Sequence, residues 1–225
     1  LHELRKYSIA IYITDDSSHN DTKEFVSNFL NHYKNIFYIK NTPRLRHDRN
    51  YIKALKQSKT EYTWILGDRV GLYHGSIKKI LDIVKKKKYD IISVNLTGRK
   101  MKAKSGYYSS SDKVFNKFCW HLTFTGATIY SRRVIKTIPS FNLDDFTNFP
   151  QVALIFNYLS HTCSFYWINE KLIFALNKKE SYWANDAFDV FIDDWGNAIN
   201  NLPKNYSNTL KKTTILKHSK KTNLF

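Results

Sequence analysis

The strongest constraint on the fold is a regular alternation of β-rich and amphipathic segments over the first 96 residues. Four short segments rich in β-branched and aromatic residues predict strands: 8–14, 36–39, 62–66 and 89–95. Between them apolar residues recur at helical spacing, most clearly at Ile77, Ile80, Leu81 and Val84. Such an alternation favours a mainly parallel, Rossmann-like sheet that is flanked by helices. The sequence therefore predicts an α/β fold.

The second half of the chain has a less regular pattern. It predicts a polar, basic loop (97–112), strand-like aromatic pieces around Gly126 (115–130), an apolar helix (152–159), an antiparallel pair of strands (164–168 and 171–176) and an amphipathic helix ended by Pro203. No internal repeat and no composition shift marks a boundary. We therefore expect one domain, residues 1–225, with two halves (1–96 and 97–203) and a basic tail (204–225).

Basic residues outnumber acidic ones by 36 to 19, which gives the chain a net charge of +17. Such a charge attracts polyanions, whether nucleic acid, anionic lipid headgroups or phosphorylated substrates. The run from Lys85 to Lys88 adds to it, although cations at the end of a predicted helix are also typical of a solvated helix end. No nucleic-acid-binding motif is present, so nucleic acid is not the expected partner. A basic nucleic-acid- or polyanion-binding protein is the alternative function.

The basic tail combines charge with apolar side chains. Its lysines are Lys211, Lys212, Lys217, Lys220 and Lys221, and its apolar residues are Ile215, Leu216, Leu224 and Phe225. This favours peripheral contact with an anionic membrane, with a solvated tail as the alternative. No apolar run approaches the roughly 18 to 20 residues of a membrane span. Cys119 and Cys163 are too few and too isolated for a disulfide framework or a metal site. A single bridge is the alternative to two reduced thiols in a cytosolic protein, which is the simpler interpretation. With the basic tail, this leads us to expect a cytoplasmic protein, peripheral at the inner face of the membrane.

Acidic residues follow the predicted strands or lie in loops. Asp68 comes directly after strand 62–66 and Gly67, and Asp15 and Asp16 come directly after strand 8–14. Right-handed crossovers bring the carboxyl ends of parallel strands to one edge of a sheet, which is where open α/β sheets bind ligands. The alternatives for Asp68 are a cap on the following helix and an Asx turn. We expect the acids at the strand ends, together with Asp48, to form one site.

These segments carry a resemblance to a known family. Residues 13–22 (ITDDSSHNDT) resemble the VVDDGSTDGT segment of family 2 glycosyltransferases with the GT-A fold. Residues 47–50 (HDRN) and 61–68 (EYTWILGD) are similar to that family's G-x-D-x-N and E-Y-x-W-x-L-G-D-D-D segments. Residues 124–130 (FTGATIY) and 145–151 (DFTNFPQ) resemble its acceptor-side segments. The segments occur in the family's order and imply a GT-A-like fold of the bacterial surface-polysaccharide type, with 1–96 as the nucleotide-sugar half and 97–203 as the acceptor half.

The resemblance implies a donor site for a nucleotide-diphosphate sugar such as a UDP-sugar. Asp15 or Asp16 would receive the nucleotide base, and Asp48 and Asn50 would lie beside the nucleotide. The acceptor would be a saccharide or a lipid-linked saccharide. The implied function is transfer of the sugar to this acceptor, for polysaccharide biosynthesis.

The resemblance also implies a metal site and a general base. Asp68 would be the first acid of the metal-binding triplet, holding Mg²⁺ or Mn²⁺ under the diphosphate, a chemistry that suits carboxylate oxygens. Asp144 or Asp145 would take the proton from the acceptor hydroxyl in an inverting displacement. The triplet here reads Asp68, Arg69, Val70, so its later acids are absent. Either Arg69 neutralises diphosphate charge in place of a ligand, or the domain is an inactive binding module.

In the family, a further strand precedes the one at 8–14. The resemblance therefore implies a strand ahead of Leu1, paired next to residues 8–14.

Overall fold

The computed structural model describes residues 2–99, 101–138, 141–176 and 185–222. The strands are β1 (Ile11–Asp15), β2 (Ile36–Lys40), β3 (Tyr62–Trp64), β4 (Val70–Leu72), β5 (Ile91–Leu96), β6 (Gly106–Tyr108), β7 (Thr128–Ser131) and β8 (Phe165–Ala175). The helices are α1 (His2–Lys6), α2 (Asp21–Leu30), α3 (Arg46–Gln57), α4 (Ser76–Lys86), α5 (Ser111–Phe118), α6 (Arg132–Ile135), α7 (Pro150–Leu159), α8 (Trp195–Asn200) and α9 (Asn208–Thr222). The predicted α/β fold and its strand–helix alternation are confirmed.

The strands form two sheets. Strands β1 and β2 pair in parallel, and the other six form a sheet in the order β3-β7-β5-β8-β4, with β6 paired to β8. Because β3 and β5 both run antiparallel to β7, they point the same way, and β8 runs parallel to β5. Strands β4 and β6 run antiparallel to β8. The six-stranded sheet is therefore mixed. All its antiparallel pairs involve β7 or β8, two strands of the second half that lie outside the strand–helix alternation of residues 1–96.

Strands β1 and β3 each use one edge for pairing in the described part of the chain. Strand β1 pairs with β2, and β3 pairs with β7 at the end of the larger sheet. The strand implied ahead of Leu1, next to residues 8–14, stays a prediction.

The second half differs from the sequence-based expectation at three places. Residues 111–118 form helix α5 rather than loop and strand, because the Ser110 side chain accepts a hydrogen bond from the Lys113 amide and Val114, Phe115 and Phe118 bury one face. The predicted strand pair is one 11-residue strand, β8. Its register against β5 shifts by two residues between Val94 and Asn95 and by one more between Asn95 and Leu96, so the strand accommodates Asn169 and Glu170 without a turn. The predicted loop 97–112 contains β6 and a half-buried Arg99.

The larger core cluster lies between the six-stranded sheet, the helices of the second half and α3, and a smaller one lies between the sheet and α4. Helix α7 is almost wholly buried, and Trp167 of β8 and Trp195 of α8 are fully buried in the same cluster. The apolar run of α7 is what the sequence predicts at 152–159, because a helix that is apolar all round must be buried. This packing fixes the segment that precedes α7, residues 142–149, against α3.

The basic tail is folded over residues 208–222 as helix α9, which packs on α5 and α8. Lys211 is buried, and its ammonium group donates to the main-chain oxygens of Asn200 and Leu202 at the end of α8. Burial lowers the pKa of Lys211. The prediction that Lys211 faces a membrane is therefore wrong, because orphan carbonyls at a helix end bind this cation instead. No helix in the described ranges combines the length and apolarity needed to cross a membrane.

Candidate functional site

The carboxyl ends of β1 and β2 hold a buried carboxylate. In the parallel register Ile13 lies opposite Tyr38 and Asp15 opposite Lys40, so the side chains of Tyr38 and Lys40 share the face of Asp15. The Tyr38 hydroxyl donates to Asp15 Oδ2 at 2.6 Å and Lys40 Nζ at 3.2 Å, while the Ser17 amide donates to Oδ1 at 2.8 Å. The Asp15 side chain is 3% exposed.

Asp15 is ionised at neutral pH. Burial by itself raises the pKa of Asp15, but the hydrogen bonds from Tyr38, Ser17 and Lys40 outweigh it and lower the pKa to about 2. Burial and the Asp15 charge together raise the pKa of Tyr38 to about 12. At neutral pH Asp15 is therefore a carboxylate and Tyr38 a neutral phenol, and their hydrogen bond joins β1 to β2.

Asp16 lies at the amino end of α3. Its Oδ1 accepts from the Leu45 amide at 2.7 Å and from Asn41 Nδ2 at 2.9 Å, and its Oδ2 accepts from the Arg46 amide at 2.8 Å. Burial raises the pKa of Asp16, but these hydrogen bonds outweigh it and lower the pKa. Main-chain amides at a helix amino end favour a negative charge. The helix that binds Asp16 is α3, which begins 30 residues later in sequence, and not α2, which directly follows β1. The Asp16 side chain is more exposed than that of Asp15, at 14%.

Two asparagines join these acids to the neighbouring elements. Asn41, which directly follows β2, donates to both Asp16 Oδ1 and Asn50 Oδ1, the latter at 2.8 Å. Asn50 donates to the Thr14 main-chain oxygen at 3.3 Å. The structure thus brings together Asp15, Asp16 and Asn50, as expected. Asn41 is 3% exposed, and among the described residues its Oδ1 has no hydrogen-bond partner.

Asp48 lies within the first turn of α3 and contacts the second half of the chain. Its Oδ1 is 2.7 Å from His47 Nδ1, and its Oδ2 accepts from the Asn148 amide at 2.9 Å. Asn148 has a left-handed φ of 62° and donates from its side chain to Asp194 Oδ2 at 2.7 Å. Burial and the charges of Asp48, Asp189 and Asp193 raise the pKa of Asp194, despite the hydrogen bond from Asn148. Asp48 was expected beside the nucleotide, and its hydrogen bonds run toward the predicted acceptor half.

The two predicted general bases lie in a short 3-10 helix, Leu143–Phe146. Both Asp144 and Asp145 are exposed. Arg49 Nη2 lies 3.6 Å from Asp144 Oδ1, with both side chains mostly in solvent, so this pair contributes little to stability. It nevertheless brings the tip of this segment to the helix that carries Asp48 and Asn50.

Asp68 and Arg69 occupy a tight turn between β3 and β4. The turn is closed by the Val70 amide, which donates to the Gly67 main-chain oxygen at 3.1 Å, and both Asp68 and Arg69 are exposed. The alternative that Asp68 caps the next helix is wrong, because α4 begins eight residues later, at Ser76, and its N-cap residue is Gly75. Gly126 packs on this turn: a Cβ atom at Gly126 would lie 3.1 Å from Val70 Cγ1. The acceptor-side segment around Gly126 therefore adjoins the turn of Asp68.

A comparison with protein families identifies the chain. The model of glycosyl transferase family 2 matches residues 1–135, which include Asp15, Asp16, Asp48, Asn50 and Asp68. The chain belongs to glycosyl transferase family 2. A search among curated proteins by sequence finds no match.

Solved structures confirm the fold of this family 2 chain. S. aureus TarS 1–349 superposes with a TM-score of 0.70 at 12% sequence identity, over 96% of this chain and 64% of TarS 1–349. TarS 1–349 in complex with UDP-GlcNAc gives the same TM-score over 98% of this chain and 65% of that one. The complex with UDP gives 0.67 at 13% identity, over 96% and 63%. The chain thus spans just under two thirds of TarS 1–349, and its α/β fold is of the GT-A type.

The family's metal triplet is only partly represented here. Within the described ranges, no three His, Cys, Asp or Glu side chains cluster in a way that could hold a metal ion. Asp68 supplies one carboxylate at this turn, and Arg69 and Val70 supply none. Because Mg²⁺ often binds through one or two carboxylates together with substrate phosphates, one acid fits a cation held mainly by a diphosphate.

Residues that the sequence analysis missed are Tyr38, Lys40, Asn41, Asn148 and Asp194. The signal for Tyr38 and Lys40 was available, because strand alternation places residues 38 and 40 on one face of β2, at its carboxyl end. Asn41 follows β2 as Asp16 follows β1. Asn148 and Asp194 had no such signal, because their contacts join segments 100 and 46 residues apart in sequence.

Proposed function

We propose that this chain transfers a sugar, with inversion, from a nucleotide-diphosphate sugar to a saccharide or lipid-linked acceptor. The family assignment supports glycosyl transfer. The observation that carries the proposal is the pair Asp15–Asp16, two carboxylates with lowered pKa values at the carboxyl ends of parallel strands. Polar groups preorganised at such strand ends suit the recognition of a nucleotide. The similarity to TarS complexes with UDP-GlcNAc and UDP supports a UDP-sugar as the donor.

Asp16 is the acid that we assign to the nucleotide base. Its Oδ2 accepts a single main-chain hydrogen bond, which leaves a lone pair for an N–H group of the base. Asp15 is nearly inaccessible and accepts three hydrogen bonds, so its role is to hold β1 and β2 in register. Asn50 accepts a hydrogen bond from Asn41, and we place it beside the nucleotide.

Asp68 and Arg69 are proposed to lie at the diphosphate of the donor. A cation bound by Asp68 would offset the charge that develops on the leaving diphosphate. Arg69 adds a second positive charge at the same turn. Its guanidinium group can donate two parallel hydrogen bonds to phosphate oxygens.

Asp144 or Asp145 is proposed as the general base. The carboxylate takes the proton of the acceptor hydroxyl, whose oxygen attacks the anomeric carbon. The bond from that carbon to the diphosphate oxygen breaks, and the nucleoside diphosphate leaves with the bonding electron pair. Both acids are exposed, so an acceptor hydroxyl can reach them without displacing protein.

The proposal includes a cytoplasmic location at the inner face of the membrane. Cys119 is buried and Cys163 is half-buried, and both are free thiols. Free thiols suit a reducing compartment.

The test is UDP binding and transfer from UDP-sugars, measured for the wild type and two variants. Asp16→Asn removes the charge and is expected to weaken UDP binding about 10- to 100-fold. Asp21→Asn, on the exposed amino end of α2, is the matched control and should bind UDP as the wild type does. Wild-type binding by Asp16→Asn would contradict the assignment of the base. UDP binding without any transfer would indicate an inactive binding module, and tighter binding of oligonucleotides than of UDP-sugars would support the polyanion-binding alternative.

A further inference from the structure

A surface of lysines and tyrosines lies away from the donor site. The last turn of α4 and the residues after it carry four consecutive exposed lysines, Lys85 to Lys88. Lys87 Nζ lies 4.7 Å from the ring centre of Tyr107 and 5.7 Å from that of Tyr89. Lys88 Nζ lies 5.7 Å from the ring centre of Tyr62. The lysines are thus arranged around tyrosine rings, and Tyr107 is 47% exposed.

The surface is confined to one face of the sheet. Tyr108 follows Tyr107 in β6 but points to the opposite face, where it packs on Phe118. Lys117, whose Nζ lies 5.8 Å from the Tyr108 ring centre, is therefore outside the surface. We define the lysine–tyrosine surface as Lys85, Lys86, Lys87, Lys88, Tyr62 and Tyr107.

Acidic side chains offset little of this charge. Glu61 pairs with Lys88 at 2.7 Å, and Asp82 pairs with Lys78, which lies outside the surface. In the described part of the chain, Lys85, Lys86 and Lys87 have no carboxylate within ion-pair distance. Asp82 acts on Lys85 and Lys86 only through longer-range attraction, so these three exposed ammonium groups remain able to attract an anionic partner.

We propose that the lysine–tyrosine surface binds anionic lipid headgroups and holds the protein at a membrane. Its cations are all lysines, which act as diffuse point charges, whereas arginine is the residue preferred for bidentate recognition of particular phosphates. Tyrosines have an apolar ring and a polar tip, which suits the depth of the headgroups. Together these features favour a lipid surface over a nucleic acid or a specific anionic polymer.

The position of the surface is compatible with an open donor site. Glu61, which pairs with Lys88, directly precedes β3, whereas Asp68 follows the same strand. The lysine–tyrosine surface therefore lies at the end of β3 opposite the turn of Asp68. Membrane contact here leaves the carboxyl ends of the strands accessible to donor and acceptor. It also replaces the tail as the main membrane contact, because Lys211 is buried against α8.

The experiment is co-sedimentation of the full chain with phosphatidylcholine vesicles, with and without phosphatidylglycerol, at low salt. The triple variant Lys85→Gln, Lys86→Gln, Lys87→Gln is compared with a matched triple variant that removes the same charge elsewhere. The matched control is Lys23→Gln, Lys34→Gln, Lys204→Gln, at three exposed positions outside the surface. We expect roughly 100-fold weaker binding to anionic vesicles for the surface variant and a much smaller loss for the control.

Three outcomes would overturn the proposal. The first is an equal loss of vesicle binding in the two triple variants, and the second is wild-type binding that does not depend on phosphatidylglycerol. The third comes from a parallel measurement of polyphosphate binding: the surface variant loses polyphosphate binding but still binds anionic vesicles. The double variant Lys85→Gln, Lys86→Gln keeps the contacts of Lys87 with its two tyrosines and serves if the triple variant does not fold. Its binding loss should be roughly two thirds of the triple variant's on a logarithmic scale.

Discussion

Replacing Asp15 by asparagine is expected to remove a large part of the stability of the donor-side sheet. The pKa of Asp15 is lowered from its usual 3.8 to about 2, and its side chain is 3% exposed, so solvent screens it little. A shift of nearly two units corresponds to about 2 kcal/mol of preference for the ionised form in the folded state. Asparagine keeps the shape and can still accept from Tyr38, but it lacks the charge that pairs with Lys40.

The sign of the pH dependence follows from the lowered pKa. Because the folded state holds the carboxylate more strongly than the unfolded state does, the contribution of Asp15 is fully present above about pH 4 and is lost as the pH falls toward about 2. In Asp15→Asn no proton is taken up at this position, so the variant lacks that part of the slope. The difference in unfolding free energy between wild type and variant should be about 2 kcal/mol at neutral pH and shrink toward zero near pH 2.

Urea unfolding, followed by circular dichroism at a series of pH values, measures this difference directly. Tyr38→Phe removes one of the donors and should give a smaller loss with the same pH trend. The exposed control Asp21→Asn should change stability by less than about 0.5 kcal/mol. A loss for Asp15→Asn that is constant from neutral pH to about pH 2 would refute the reasoning, because it would arise from neutral packing rather than from the ionised carboxylate.

Two further substitutions test the turn of Asp68 and the packing beneath it. Asp68→Asn should reduce the rate of sugar transfer at least tenfold. Its free energy of unfolding should change by less than about 1 kcal/mol, because the side chain is exposed. If the variant transfers sugar at the wild-type rate both with and without EDTA, Asp68 has no part in the reaction. Gly71→Ala should destabilise the fold by about 1–3 kcal/mol in a thermal melt, because its Cβ would lie 2.5 Å from the Phe174 ring. Gly196→Ala, in α8 with no atom within 4 Å of the added Cβ, is the control and should be neutral or stabilising.

The first half of the fold was predictable because its signals are local. Apolar spacing in α4 and β-rich runs in β1 and β5 act within a few residues, so the sequence displays them directly. The helix α5 was missed because its aromatic residues favour strands by propensity, while burial against the core decides the outcome. Strand β8 was predicted as two strands, because Asn169 and Glu170 are polar residues typical of a turn. In the structure they lie inside the strand, where its register against β5 shifts.

Part of the site was predictable for the same reason. Asp15, Asp16 and Asn50 belong to short sequence motifs that resemble those of the family, and in the structure they lie close together. Strand alternation places Tyr38 and Lys40 on one face at the end of β2, but only the register of β1 against β2 brings that face to Asp15, and sequence patterns do not specify the register. The contact of Asp48 with Asn148 requires the packing of α3 against the segment before α7, and no local pattern encodes it.

Helix α3 is the element through which the two halves of the site are related in space. The amide of Arg46, its first residue, donates to Asp16 on the proposed donor side, and two residues later Asp48 accepts from Asn148 on the proposed acceptor side. Two residues along a helix rise only about 3 Å, so both contacts lie within one turn. The positions of Asp16 and of the segment that carries Asp144 are therefore tied to the same turn, and a displacement of this turn would move both.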